Sequence, residues 1–435
     1  MMPQDPVPWL NYSPSAWSVQ PLRAAGVFFG GGTPDTSDAS YWDGDLPWVS
    51  SQDVRGGGLT STARRITGAG LKNSSARIAT AGSLVFVMRS GILKHSLPVS
   101  LLEMDSAINQ DIKALHPVRL WDARYLLYFF AGWQTQLLAA WRTQGATVES
   151  LRFDLMQKTL LPCPPWDAQE AIVAYLDPEV SRIDSLIERK QRFIDLLLEK
   201  RAALITHAVT KGLDPNAELK DSGVDWIGAI PSHWFVRRTK QVARLESGHT
   251  PSRQHPEWWV DCTVPWITTS EVWQVRDGRA EYITETVEKV SELGLANSSA
   301  RKLPAGTVVL SRTASVGFSA IMPTEMATSQ DFADWVPGAE VLSEYLLYTF
   351  RSMRTEFDRL MMGSTHKTIY MPDIQNFVMP LPPLDEQRAI VDSIRSRVRT
   401  IDALVDRTRT SIDLLKEYRA ALISAAVTGQ IEIGN

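Results

Sequence analysis

Leu71-Lys72-Asn73-Ser74-Ser75-Ala76-Arg77 and Leu295-Ala296-Asn297-Ser298-Ser299-Ala300-Arg301 are one phrase written twice, and the text around them decides the fold. The order holds in both directions. Upstream, Trp9 with Pro14-Ser15 and Trp17 returns as Trp226 with Pro231-Ser232 and Trp234. Thr33-Pro34 returns as Thr250-Pro251, and Pro47-Trp48 as Pro265-Trp266. Downstream, Gln110-Asp111 matches Gln330-Asp331, and Tyr125-Leu126-Leu127-Tyr128 matches Tyr345-Leu346-Leu347-Tyr348. Arg201-Ala202-Ala203-Leu204 matches Arg419-Ala420-Ala421-Leu422. The offset drifts only between 217 (Thr33 to Thr250) and 224 (Leu71 to Leu295). Solenoids repeat every roughly 20–50 residues, so this is a duplicated module instead. Duplication of that kind suits a target with two-fold character.

Each of the two copies has enough chain to bury its own core. The 435 residues are 44% hydrophobic with a net charge of -4. The first 150 residues carry 12 basic and 11 acidic side chains, and no segment is strongly basic. If DNA is the target, much of the phosphate charge must be met by another subunit. The opening Met-Met-Pro-Gln-Asp-Pro lacks the basic and apolar regions of a signal peptide, and no apolar run is long enough for a membrane helix. Cys163 and Cys262 are not counterparts in the repeat. No disulfide and a reducing cytoplasm are therefore expected. No cysteine or histidine cluster has metal-ligand spacing, so no structural metal is expected.

Each copy reads as a mixed α/β globular head followed by a long helix. Short strands are expected at 83–89 and 307–312. Amphipathic helices should carry Leu126, Phe130, Trp133, Leu137 and Trp141 in the first copy, and Leu346, Phe350, Arg354 and Phe357 in the second. Proline stops at 161–165 and 379–383 end the heads. Beyond them apolar residues recur by threes and fours: Ile183, Ile187, Ile194, Leu197, Leu204 and Ala208, then Ile394, Val398, Ile401, Val405, Ile412, Leu415, Leu422 and Ala426. Asp385 is a suitable cap, and Pro178 predicts a kink in the first helix. From Asp385 to Thr428 the second helix would span 44 residues, or about 66 Å. So long a helix with so narrow a seam needs a partner, and the obvious one is its own repeat. Antiparallel packing would relate the modules by a pseudo-two-fold axis and place a head at each end. The expected domains are thus 1–165 (first head), 166–212 (first helix), 213–383 (linker and second head) and 384–430 (second helix).

Catalytic motifs are sparse. Phe28-Phe29-Gly30-Gly31-Gly32 formally matches a loop of enzymes that bind S-adenosylmethionine, but the second copy reads Leu245-Glu246-Ser247-Gly248-His249. The Asn-Pro-Pro-Tyr or Asp-Pro-Pro-Tyr tetrapeptide that would hold a flipped adenine is missing. Glu218-Leu219-Lys220 matches the end of a nuclease motif without its upstream Pro-Asp. There is no phosphate-binding glycine loop. The chain itself is expected not to be an enzyme.

The pattern resembles the specificity subunits of type I restriction–modification systems along essentially its whole length. The resemblance rests on the duplicated head-then-helix order and on two phrases. One is Pro382-Pro383-Leu384-Asp385-Glu386-Gln387-Arg388-Ala389-Ile390-Val391; the other is Leu414-Leu415-Lys416-Glu417-Tyr418-Arg419-Ala420-Ala421-Leu422-Ile423. Weaker copies run over 164–173 and 197–205, where Trp166, Ala168 and Pro178 depart from the pattern. The resemblance implies that each head recognises one half of a bipartite site in double-stranded DNA. It implies two methyltransferase subunits that bring S-adenosylmethionine, and, where a restriction subunit is present, its ATP and Mg. No cofactor is expected on this chain. Two other readings stay open from the residues alone: a coiled-coil scaffold with two ligand-binding heads and no DNA, and a fragment of a self-sufficient restriction–modification polypeptide.

Half-sites of such systems usually differ, so residues shared by both copies cannot tell the halves apart. Asn73, Ser74 and Arg77 with Asn297, Ser298 and Arg301, and likewise Arg89 and Arg312, suit phosphate contacts or the fold; the Asn-Ser-Ser groups also suit plain caps or turns. Base readers should lie in diverged segments. Candidates are Arg55, Arg64, Arg65, Lys94, His95 and Arg142 in the first head, and Arg253, His255, Arg276, Arg279, His366 and Lys367 in the second. On the second long helix, Arg388, Arg395 and Arg399 are candidates for docking the methyltransferase.

Overall fold

A computed structural model describes residues 7–143, 148–362 and 367–433. The chain packs as two compact units, one of Met1–Lys190 with Thr410–Asn435 and one of Gln191–Arg409. The division cuts each long helix near its middle. Packing explains this. Each head is covered by the beginning of the helix that follows it and by the end of the other helix.

The long helices span Trp166–Lys211, 46 residues, and Leu384–Val427, 44 residues. The second begins one residue before Asp385, so that acid sits in the first turn, where it favours the positive end of the helix dipole. The first helix carries Pro178 inside its span. The proline forfeits one backbone hydrogen bond, and Leu176, Val180 and Ile183 are buried on either side of it. The apolar seams fall where the spacing puts them. Ile183, Ile194, Leu197 and Ala208 are buried, as are Ile394, Val398, Ile401, Val405, Ile412, Leu422 and Ala426. A fully buried isoleucine or valine such as Ile394 or Val405 contributes about 1.5–3 kcal/mol.

Within each unit the helix segments run antiparallel. In the first unit Arg419 meets Asp184 at 2.9 Å, and the Val427 carbonyl lies 2.9 Å from the Tyr125 hydroxyl. In the second unit Arg201 meets Asp402 at 3.2 Å, and the Val209 carbonyl lies 3.0 Å from the Tyr345 hydroxyl. Numbers rise on one helix as they fall on the other.

The first head holds a five-stranded sheet in the order Gly26–Gly30, Ile112–Pro117, Leu84–Val87, Val99–Leu102, Gly58–Leu59. A four-stranded sheet follows the order Arg64–Ile66, Trp42–Val49, Ser106–Ile108, Arg77–Ala79. The second head repeats the plan with a four-stranded sheet (Ala243–Ser247, Phe332–Pro337, Val308–Ser311, Ser319–Ile321) and a three-stranded one (Glu288–Val290, Val264–Ile267, Ala327–Thr328). Register is kept: Trp48 pairs with Arg64 and Ala107, and Trp266 with Glu288 and Ala327. The expected amphipathic helices exist, each split in two: Ala123–Gly132 and Gln134–Trp141, then Ser343–Ser352 and Arg354–Leu360.

A buried glutamine joins each head to its helix. The Gln169 carboxamide accepts from the Asp122 amide at 2.8 Å and donates to the carbonyls of Leu120 and Pro164 at 2.9 and 3.0 Å. Gln387 does the same with the Leu342 amide and the carbonyls of Glu340 and Pro382, all at 2.9 Å. Both side chains are fully buried. Each places one donor and one acceptor group against the start of a head helix and the proline stop, where buried backbone groups need partners.

Candidate nucleic-acid interface

Several of the residues shared by the two heads hold local turns and strand ends. Asn73 and Asn297 end the one-turn helices Gly68–Lys72 and Glu292–Ala296, and the Asn297 amide donates to the Leu293 carbonyl at 2.9 Å. The Ser74 and Ser298 hydroxyls each accept from the amide two residues on, at 3.2 Å. Arg301 pairs with Glu246 at 3.2 Å, and Arg312 donates to the Gln330 carbonyl at 3.0 Å. The caps-and-turns reading of the Asn-Ser-Ser groups is therefore what the structure displays. Their counterparts Arg77 and Arg89 are exposed, with no side-chain partner among the described residues.

The glycine loop is also structural. A Cβ at Gly31 would lie 1.8 Å from the Ile108 carbonyl oxygen, and one at Gly248, its counterpart, 2.3 Å from that of Thr328. The one glycine kept in both copies is where the turn crosses a strand at closest approach. Glu218-Leu219-Lys220 runs into a linker hairpin, Leu219–Asp221 against Ala229–Pro231.

Among the diverged residues, Arg64 and Arg253 share an arrangement reached by different routes. The Arg64 guanidinium lies 3.5 Å above the Trp42 ring, and Trp42 leans edge-on against buried Trp48 at 5.2 Å. The Arg253 guanidinium lies 4.0 Å above Trp259, which leans on buried Trp266 at 5.7 Å. The position paired with the inner tryptophan is Arg64 in one head and Glu288 in the other, and Glu288 holds Arg253 at 2.5 Å. A cation is thus stacked on tryptophan in both heads, and among the described residues a carboxylate lies beside it only in the second.

Other candidates are tethered to varying degrees. Arg55 and Arg65 donate to the carbonyls of Gln52 (3.2 Å) and Gly44 (3.0 Å). Arg142 lies 3.7 Å from Glu149. His255 stacks on Trp258 at 4.2 Å and bonds Glu257 at 3.0 Å. Lys94 and His95 are exposed around the turn Gly91–Lys94, while Arg276 and Lys367 are exposed and without side-chain partners among the described residues. His366 lies outside the described residues.

Two candidates are held by carboxylates. Arg279 forks onto Asp406 of the second long helix at 2.7 and 2.8 Å, which ties the head to that helix. Arg395, expected on a docking face, grips Glu281 of the second head at 2.6 and 3.0 Å and reaches Glu344 at 3.3 Å. Burial pushes the Glu281 carboxyl up, but the bonds from Arg395 and Tyr348 outweigh it and hold it below its usual range. Arg388 pairs with Asp385 at 2.7 Å, and Arg399 is exposed. The first head has the same clasp with signs exchanged: Arg124 meets Asp177 at 2.8 Å, and the Tyr128 hydroxyl donates to Asp177 at 2.7 Å. Sequence reasoning missed these clasps and the two glutamines. The glutamines were findable, as identical residues 218 apart just after each Pro-Pro; the clasps were not, because charge exchange hides them from a search for identity.

A family model described as the type I restriction modification DNA specificity domain matches residues 14–193 and again 231–411. The chain belongs to that family. It is a type I restriction–modification specificity subunit with two DNA-specificity domains. The MjaIX specificity subunit of Methanocaldococcus jannaschii is 23% identical over 97% of this chain and 94% of its own length. The EcoR124I/EcoR124II specificity subunit of Escherichia coli is 30% identical over 40% of this chain and 44% of its own. A structure solved to explain assembly and conformational transition of the type I system shares the fold, with TM-score 0.72 and 18% identity over 96% of this chain and 99% of that one. The HsdS subunit of Thermoanaerobacter tengcongensis matches with TM-score 0.52 and 18% identity over 96% and 98%. Each matched segment of the specificity subunit takes in a head and the first part of the long helix after it, the portion that packs against that head. Among the described residues no helix is long and apolar enough to cross a membrane.

Proposed function

We propose that this specificity subunit is the non-catalytic reader of a bipartite site in double-stranded DNA, one half-site per head. Two methyltransferase subunits dock on its heads and long helices, bring S-adenosylmethionine and methylate an adenine in each half. Restriction subunits, with ATP and Mg, join where they are present. The observation that carries this reading is how the two copies differ. Many residues identical in both build turns, joints and seams, whereas exposed cations such as Lys94, Arg276 and Lys367 sit on segments where the copies diverge. Arginine and lysine suit guanine edges in the major groove. The near-neutral charge supports a division of labour in which the methyltransferase subunits grip the backbone.

The test is to co-express the chain with its methyltransferase partner and sequence the methylated adenines of the host DNA. One two-part motif should appear, and Arg276→Ala with Lys367→Ala should relax only the half read by the second head. Methylation that does not depend on this chain, or a motif altered in both halves, would sink the reading.

A further inference from the structure

The two heads differ by six residues at one place, and the difference leaves a space. Val54 and Gly58 of the first head match Val272 and Tyr282 of the second: both valines are buried, and Gly58 and Tyr282 pair in parallel with Leu101 and Ile321. Three residues lie between the first two and nine between the second two. In the second head the extra residues fold onto the long helices as a plug. The Gly278 carbonyl accepts from Arg201 and, at 2.8 Å, from Arg351; Arg279 forks onto Asp406 and stands 3.9 Å from Asp402. Burial pushes the Arg351 guanidinium down to about 10, a measure of how closed the place is.

In the first head the corresponding place is an open crevice of about 480 Å³. Its walls include Gly56 and Gly57 of the short connection, and Ala131 where the other head has Arg351. Its floor is the ion pair of Asp184 and Arg419, the counterparts of Asp402 and Arg201. The helix surface that receives the plug in one unit is therefore kept in the other, acid included, while the plug is gone.

We propose that this crevice receives a surface turn of a partner protein, presenting a backbone carbonyl to Arg419 and an arginine to Asp184. The chemistry is copied from the occupant of the duplicate half, a glycine-arginine turn. The proposal rests on the reading above that methyltransferase subunits dock on this chain, and it makes their docking unequal: one subunit inserts a turn, and the other meets a head that supplies its own.

The test uses the full chain with its methyltransferase subunit. Stoichiometry is read by mass photometry and affinity by titration calorimetry, for the wild type, Ala131→Arg and Asp184→Asn. A photo-crosslinking residue at Gln134, at the crevice mouth, reports what enters. The wild type should bind two subunits. Each variant should weaken one of the two sites at least tenfold and leave the other unchanged, and the crosslink should map to an arginine-bearing turn of the partner. Two unweakened sites in both variants would overturn the proposal, as would a crosslink to DNA alone. If Ala131→Arg fails to fold, the Asp184 variant and the crosslink still decide. A wild type that binds no methyltransferase subunit would remove the docking reading itself, a different failure from unweakened binding.

Discussion

Replacing Gln387 by leucine should loosen the second head on its long helix without unfolding the protein. Leucine has nearly the volume of glutamine, so no cavity opens. What disappears are three hydrogen bonds, to the Leu342 amide and to the carbonyls of Glu340 and Pro382. The site is fully buried, so water cannot readily replace them. A buried polar group left unpaired costs about 1–3 kcal/mol. The amide is the strictest of the three, because it precedes the helix Ser343–Ser352 and has no partner within it. Taking the amide and one carbonyl as stranded gives a loss of about 3 kcal/mol, or about a hundredfold in the local opening equilibrium. Hydrogen exchange read by mass spectrometry should show this acceleration in peptides over 340–352 and 380–395. The peptides of the first head, which has its own Gln169, should keep their rates. Exchange faster by less than threefold in the second head would mean that the glutamine is not the joint, and the reasoning from buried backbone groups would fail.

Four further outcomes can be measured. Asp334 is fully buried, with one oxygen bonded by Thr328 at 2.6 Å and the other unpaired, and burial pushes its carboxyl up to about 7. The folded state therefore holds a proton that the unfolded state releases near pH 4, so stability falls as pH rises from about 4 to about 7, by a total on the order of 4 kcal/mol. Asp334→Asn should remove that slope and raise the melting temperature at pH 8; an unchanged pH profile would refute it. S-adenosylmethionine titrated into the isolated chain should give no binding heat, and saturable one-to-one binding would overturn the non-catalytic reading. Reversing Arg399 to glutamate should weaken methyltransferase assembly in size-exclusion runs and spare the helical circular dichroism. Reversing Arg395 should also free the second head, because its fork on Glu281 is lost, seen as faster exchange near Tyr348.

The large plan was legible because it rests on periodicity and repetition. Threes and fours of apolar residues place the helix seams, and the spacing of Pro-Trp, Gln-Asp and Tyr-Leu-Leu-Tyr places equivalent strands and helices. Pro178 lies inside one long helical span, with leucine, valine and isoleucine buried around it. At the site, residue type was a weak guide. Arg279 and Arg395 look like any exposed arginine until the chain folds their carboxylates opposite them. Identity between copies pointed to Asn73 and Ser74, yet identity is what a turn needs, whereas the clasps are positions where the copies part. The crevice was invisible in sequence for a further reason: a six-residue difference has no chemistry until the duplicate shows what fills the space.

The measurement closest to the central claim changes the length of the helical connection between the heads. The two units divide at 190/191 and 409/410, within the long helices. Seven residues inserted in each helix near Arg192 and Thr410 add about 10.5 Å, return the apolar seam almost to register, and correspond to about three base pairs at 3.4 Å each. Sequencing of methylated adenines in cells carrying the variant and its methyltransferase should find both half-sites unchanged and the spacer between them longer by about three base pairs. Full methylation at the original spacing would contradict the claim that the helices set the distance between two reading heads.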